Sequence, residues 1–152
     1  AISREAAIMT KLSKHPNLVQ LYGIARDPEK PTEVSMVMQL VPFGSLLRVM
    51  HSGKLEWTHI DRVTAALQVC MGMEALIREG IVHADLAARN VFVQSVNPVH
   101  VKVGDFGLSR ANAVYYGDNH NIPFRWAAPE VLKRGKWSEK SDVWSFGVIL
   151  WE

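Results

Sequence analysis

The chain has 152 residues, 48% of them hydrophobic, and its 17 Lys and Arg against 15 Asp and Glu give a net charge of +2. These values suit about one globular domain, give no argument for a nucleic-acid partner and include no block of like charge. No apolar run reaches the roughly 18–20 residues of a membrane span, Ser3, Arg4 and Glu5 interrupt any leader-like start, and the one cysteine, Cys70, points to a reducing compartment.

In chain order, residues 1 to about 14 read as a helix with Ile2, Ala6, Met9 and Leu12 on one face. His15-Pro16-Asn17 ends it, because the residue before a proline avoids helical backbone. Residues 18–24 read as a strand, 27–32 with two prolines as a turn, and 33–40 as a second strand of the same hairpin. Pro42-Phe43-Gly44 is a connector, and Ser45 can cap a short helix. The longest helix is expected from about His59 to Glu79, with Thr58 as N-cap and Gly80 ending it. Ile60, Val63, Ala66, Leu67, Cys70, Met73, Leu76 and Ile77 are its expected buried face, and Cys70 is read as a core thiol rather than a reactive one. Ala111 to Asn121 is polar and aperiodic. A short helix opens at Pro129, and Ser141 to Glu152 is helical and apolar nearly all round, which predicts burial.

The chemistry concentrates between the long helix and that polar stretch. His83-Ala84-Asp85-Leu86-Ala87-Ala88-Arg89-Asn90 lies between the apolar segments Ile81-Val82 and Val91-Phe92-Val93. An Asp followed after four residues by an Asn, in a short loop, suits phosphoryl transfer. The Asp can accept a proton from an attacking hydroxyl, and the Asn can hold a metal ion against phosphates. A second signal, Asp105-Phe106-Gly107, follows the strand-like Val101-Lys102-Val103. An isolated Asp-Phe-Gly is often only a turn; behind this loop it reads as a metal-binding carboxylate.

From Glu5 to Glu152 these motifs, in order and spacing, resemble a protein kinase catalytic domain, and specifically its tyrosine kinase branch. Leu86-Ala87-Ala88-Arg89-Asn90 is similar to the tyrosine kinase form of the catalytic loop. So are Pro123-Phe124-Arg125-Trp126 before Ala128-Pro129-Glu130, and Ser141-Asp142-Val143-Trp144-Ser145-Phe146-Gly147-Val148. The stretch through Gly44-Ser45-Leu46-Leu47 further resembles the Ack group of cytoplasmic tyrosine kinases.

The resemblance implies an α+β, two-lobe kinase-like fold, here a partial domain with about 1–40 in the small lobe and hinge and about 41–152 in the large lobe. It implies ATP and Mg²⁺, a protein substrate with an acceptor tyrosine, and a cytoplasmic setting or the cytoplasmic part of a receptor. Asp85 would orient the substrate hydroxyl and take its proton. Arg89 would sit near the transferred phosphate, and Asn90 and Asp105 would hold Mg²⁺. Glu5 falls where the regulatory helix carries the partner of the ATP-binding Lys. Met38 falls at the gatekeeper position of the hinge, and Gln39 and Val41 would offer backbone hydrogen bonds to adenine. Met9, Leu21, His83 and Phe106 match the apolar stack between the lobes, and Asp142 matches the carboxylate that braces the catalytic loop. Tyr115 and Tyr116 resemble autophosphorylation sites.

Two departures qualify this. Ala84 stands where most kinases carry the Arg that contacts a phosphorylated activation segment. Ala has no donor, so this chain is expected either not to depend on that switch or to use another basic group such as Arg110. The family's Gly-rich loop and ATP-binding Lys would precede residue 1, and its remaining helices would follow residue 152. The 152 residues alone are therefore expected to be inactive and marginally stable, with an exposed apolar last helix. A serine/threonine kinase of the tyrosine kinase-like branch and a pseudokinase scaffold are the competing readings.

Overall fold

In the computed structural model, residues 2–12, 14–26, 28–29, 34–53, 56–117 and 122–152 are described, with the side chains of 2–5 and 34 excepted. Five helices are separated by three two-stranded antiparallel sheets among these residues, an α+β arrangement. Helix α1 (Ile2–Leu12) buries Ala6, Ile8, Met9 and Leu12, so the expected face holds from Ala6 onward. Strands β1 (Leu21–Arg26) and β2 (Val34–Met38) form the expected hairpin. β1 starts later than predicted, because Leu18 instead makes an isolated parallel bridge to Val103. Most of the expected turn over 27–32 lies outside the described residues.

Ser45 caps α2 (Leu46–His51), its Oγ accepting from Arg48 N–H at 3.3 Å. Thr58 caps α3 (His59–Arg78) with a reciprocal box: Asp61 N–H donates to Thr58 Oγ1 at 3.2 Å, and Thr58 N–H donates to Asp61 Oδ2 at 2.9 Å. Gly80, at φ +66°, supplies the left-handed residue that ends this helix.

The buried face of α3 matches the expected one only at Met73 and Leu76. Ala65, Val69, Gly72, Met73 and Leu76 are buried, whereas Ile60, Val63, Leu67 and Ile77 are exposed and Cys70 lies on the exposed side. The apolar residues surround this helix, so periodicity cannot fix its phase. The decision falls to Gly72, where a Cβ would stand 2.8 Å from the Asn17 carbonyl, so the helix approaches that loop as only glycine allows. Cys70 sits one residue round from Val69, off the core stripe. Cys70 is therefore not the core thiol expected; partial burial still pushes its thiol up.

Strands β3 (Val91–Val96) and β4 (Val99–Val103) form a hairpin whose Val91, Val93, Val101 and Val103 are fully buried. The main core lies between this hairpin, α1 and α3. Burying each such side chain contributes about 1.5–3 kcal/mol. Polar groups fasten the layers. Gln68 on α3 accepts from Val101 N–H at 2.7 Å and donates to the Val99 carbonyl at 2.9 Å. Asn17 Nδ2 donates to the Val101 carbonyl at 3.0 Å, and the buried Lys102 Nζ donates to the Pro16 carbonyl at 2.7 Å. The loop after α1 is thereby tied to β4.

The polar stretch after Arg110 is not wholly irregular. It contains β5 (Val114–Tyr116), paired with β6 (Lys136–Ser138), which follows α4 (Pro129–Arg134). The last helix, α5 (Glu139–Trp151), buries Ser141, Asp142, Ser145 and Ile149 and exposes Val143, Trp144, Leu150 and Trp151. The apolar side is thus exposed in these residues, as expected for them, and the mostly small and polar face is the covered one.

Candidate active site

The loop between α3 and β3 is shaped by a carboxylate far along the chain. His83 N–H donates to Asp142 Oδ2 at 2.8 Å, and Ala84 N–H donates to Asp142 Oδ1 at 3.0 Å. Ala84 is held at φ +67°, a region alanine rarely adopts, and this paired acceptance is what holds it there. Burial pushes the Asp142 carboxyl above its ordinary value, opposed by the His83 ring and the two N–H donors. The buried His83 ring accepts from Asp85 N–H at Nδ1, 3.2 Å, and bonds the Gly104 carbonyl through Nε2 at 3.1 Å. It lies 5.4 Å from the Phe106 ring. Met9, His83 and Phe106 are buried; Met9 and Phe106 belong to the main core, and Leu21 packs against it.

With the backbone fixed, three predicted side chains converge. Asn90 Nδ2 donates to Asp85 Oδ2 at 2.8 Å and to the Asp85 carbonyl at 2.7 Å. Arg89 Nη2 pairs with Asp85 Oδ1. Ala88-Arg89-Asn90 forms one 3₁₀ turn, which turns Arg89 and Asn90 back over Asp85. Ala88 N–H donates to Glu152 Oε2 at 3.0 Å, a support that no motif signalled. Trp126 was quoted only as a family marker; its ring lies under Arg89, with Cζ 4.2 Å from the centroid.

Asp105 enters from the far end of the hairpin. Gly104 N–H donates to the Asn90 carbonyl at 2.9 Å, so the residue before Asp105 is pinned to the catalytic loop. Asp105 has φ +60° and is exposed, its Oδ1 accepting from Gly107 N–H at 3.4 Å. Asn90 Nδ2 is engaged by Asp85, so Oδ1 is the atom that Asn90 can offer a cation. Among the described residues no three His, Cys, Asp or Glu side chains gather as a metal site of their own. An amide oxygen and a carboxylate fit Mg²⁺, a hard ion that completes its shell with water and substrate phosphate.

The hinge residues stand apart from this cluster. Met38 ends β2 opposite Leu21 and is 44% exposed. Gln39 N–H donates to the Gln20 carbonyl at 2.8 Å, which leaves its carbonyl as the group it can offer a ligand; Val41 is buried. Gln39 Nε2 donates to Gln94 Oε1 at 3.2 Å, and Val93 N–H donates to the Gly44 carbonyl at 2.8 Å, so the hinge is tied to β3. Glu5 lies in α1, and its side chain is outside the described residues.

Beyond Asp105, Arg110 and Val82 exchange backbone hydrogen bonds of 3.0 and 2.9 Å, and Ser109 Oγ donates to the His83 carbonyl at 3.0 Å. The two adjacent tyrosines are placed differently. Tyr115 is half-buried and stacks on Trp137, whereas Tyr116 is 72% exposed. Burial pushes the Tyr115 hydroxyl up to about 12, Arg110 opposing and Asp142 adding to the effect.

The α+β layout, with a catalytic loop before one hairpin and an Asp-Phe-Gly after it, is that of a protein kinase domain. The profile of the protein tyrosine and serine/threonine kinase family matches residues 1–152, and the chain belongs to that family. It is 41% identical to an Ack-related non-receptor tyrosine kinase of Caenorhabditis elegans, over 98% of this chain and 15% of that protein. It is 42% identical to protein-tyrosine kinase 6 of Mus musculus, over 97% of this chain and 32% of that protein. It is 40% identical to the human receptor tyrosine-protein kinase erbB-4, over 97% of this chain and 11% of that protein. The chain thus spans a third or less of the length of these relatives, and their similar identities do not single out the Ack group. No helix among the described residues is long and apolar enough to cross a membrane.

Proposed function

We propose that the protein carrying this chain is an ATP- and Mg²⁺-dependent protein-tyrosine kinase, with residues of about 1–40 in the small lobe and hinge and about 41–152 in the large lobe. The observation that carries this reading is the convergence of Arg89 and Asn90 on the Asp85 carboxylate, in a loop whose backbone is bonded to Asp142. Asp85 accepts the proton of the attacking tyrosine hydroxyl. Arg89, flanked by Asp85 and Trp126, stands beside the transferred phosphate and offsets its charge. Asn90 Oδ1 and the Asp105 carboxylate would hold Mg²⁺, which when bound neutralises phosphate charge. The Gln39 carbonyl and Val41 N–H would hold the adenine edge beside Met38, and Glu5 would pair with the ATP-binding Lys. Positioning and electrostatics of this kind make up most of the catalysis in phosphoryl transfer.

Tyrosine as acceptor is supported by Ala87-Ala88-Arg89 and Trp126, and by relatives whose names are those of tyrosine kinases. Both receptor and non-receptor kinases are among them, in keeping with a cytoplasmic setting or the cytoplasmic part of a receptor. The test is phosphoamino-acid analysis of a tyrosine-, serine- and threonine-containing peptide treated with the full-length protein, ATP and Mg²⁺. Phosphotyrosine is expected, with kcat lowered about 10²–10⁴-fold by Asp85→Asn. Phosphoserine or phosphothreonine alone, or an Asp85→Asn variant at the wild-type rate, would overturn the reading.

A further inference from the structure

Ala84 offers the segment after Asp105 no side-chain donor, yet that segment is docked against the loop. What docks it is apolar and aromatic. The Ala84 methyl lies in a buried cluster with Val82, Val131 and Trp137, and Tyr115 packs against that cluster. Tyr115 and Trp137 are paired across β5 and β6, their rings parallel to within 6° and 6.0 Å apart between centroids. The Arg110 guanidinium lies 5.7 Å from the Tyr115 centroid, and its Nη1 donates to the Leu108 and Ser109 carbonyls at 2.8 and 2.9 Å. Its backbone is bonded to Val82, two residues before Ala84. A cation that could otherwise meet a phosphate is thus turned onto an aromatic face.

We propose that Tyr115 is a positioning residue rather than a modification site: its ring, held by Arg110 and Trp137 above the Ala84 cluster, clamps the segment after Asp105 to the catalytic loop without a phosphate. The proposal rests on the kinase reading above for its effect on turnover, but not for its effect on structure. The ring does the clamping and the hydroxyl does not. Keeping the ring should therefore keep the clamp, and the exposed Tyr116 should be dispensable to it. A phosphate on Tyr115 would add charge to a half-buried stacked ring, and would open the clamp instead of strengthening it.

The experiment compares full-length wild-type protein with Tyr115→Phe, Tyr115→Leu and Tyr116→Phe, all treated with a phosphatase. It reads hydrogen exchange over residues 108–117 and turnover of a tyrosine peptide. Tyr115→Phe and Tyr116→Phe should match the wild type in both. Tyr115→Leu should exchange faster over that stretch and lose roughly tenfold in kcat/KM, as expected from one aromatic stack and one cation–π contact. If Tyr115→Leu does not fold, Arg110→Gln carries the same test, since Arg110 is partly exposed, and faster exchange over 108–117 is again required. Wild-type exchange in Tyr115→Leu or Arg110→Gln would overturn the proposal. So would loss in Tyr115→Phe equal to that in Tyr115→Leu, because the hydroxyl would then be the working group. If the wild type transfers no phosphate, the kinase reading fails while the exchange data still decide the clamp.

Discussion

Arg89 lies over the Trp126 indole, Cζ 4.2 Å from the ring centroid, while its Nη2 pairs with Asp85. The indole is thus a shelf that sets the direction of the guanidinium paired with Asp85. The indole nitrogen is buried and finds no hydrogen-bond partner among the described residues, so the ring face is what Trp126 contributes. Trp126→Leu is expected to lower kcat/KM roughly 2- to 30-fold, the worth of a cation–π contact, with Trp126→Phe closer to wild type. Steady-state kinetics on the full-length protein check this. Unchanged kinetics in Trp126→Leu would remove the shelf from the mechanism.

Asp142 satisfies two buried N–H groups at once. Asp142→Ala strands both, and is expected to cost about 2–5 kcal/mol, read from denaturant midpoints. The pH dependence follows from the direction of its shift. Burial raises the folded carboxyl above the ordinary 3.8, so the stability it contributes is complete below that value and is lost as pH rises through the folded value. Wild type measured against Asp142→Asn should therefore lose relative stability from acidic towards neutral buffer. A gain over the same range would mean that the N–H donors outweigh burial.

Gly72 and Gly147 make an internal control. A Cβ on Gly72 would stand 2.8 Å from the backbone carbonyl of Asn17, whereas one on Gly147 would meet nothing within 4 Å. Gly72→Ala is expected to destabilise by about 1–3 kcal/mol. Gly147→Ala, in the middle of α5, should instead stabilise by about 0.5–1 kcal/mol. Thermal melts of the two variants give opposite signs if the close approach of α3 to the loop after α1 is real.

The local signals in the sequence were read well where local chemistry decides. Thr58 and Ser45, each ahead of an apolar turn, name a helix start, because the partners of a cap are neighbours in the chain. The phase of α3 over its first turns is not legible, because Ile60, Val63 and Leu67 are as apolar as Val69, and only contact with Asn17 and β4 selects between them. β5 and β6 were missed because three-residue strands carry no measurable period. The Arg89–Trp126 and Arg110–Tyr115–Trp137 contacts join distant segments, and no spacing rule announces them. Cys70 failed for the same reason as the helix that carries it.

The brace between Asp142 and the loop at His83 and Ala84 also has a consequence in time. His83 and Ala84 lie 59 and 58 positions before Asp142, and the β3–β4 hairpin, β5, α4 and β6 fall in between. Contacts this distant close late, after local turns and hairpins have formed. As the chain leaves the ribosome, the residues of the catalytic loop emerge well before the carboxylate that gives them their shape. Pulse-labelled amide exchange during refolding should find His83 and Ala84 protected together with α5, and after Val91 to Val103. The shape of the loop at His83 and Ala84 would then be among the last features of this fold to appear.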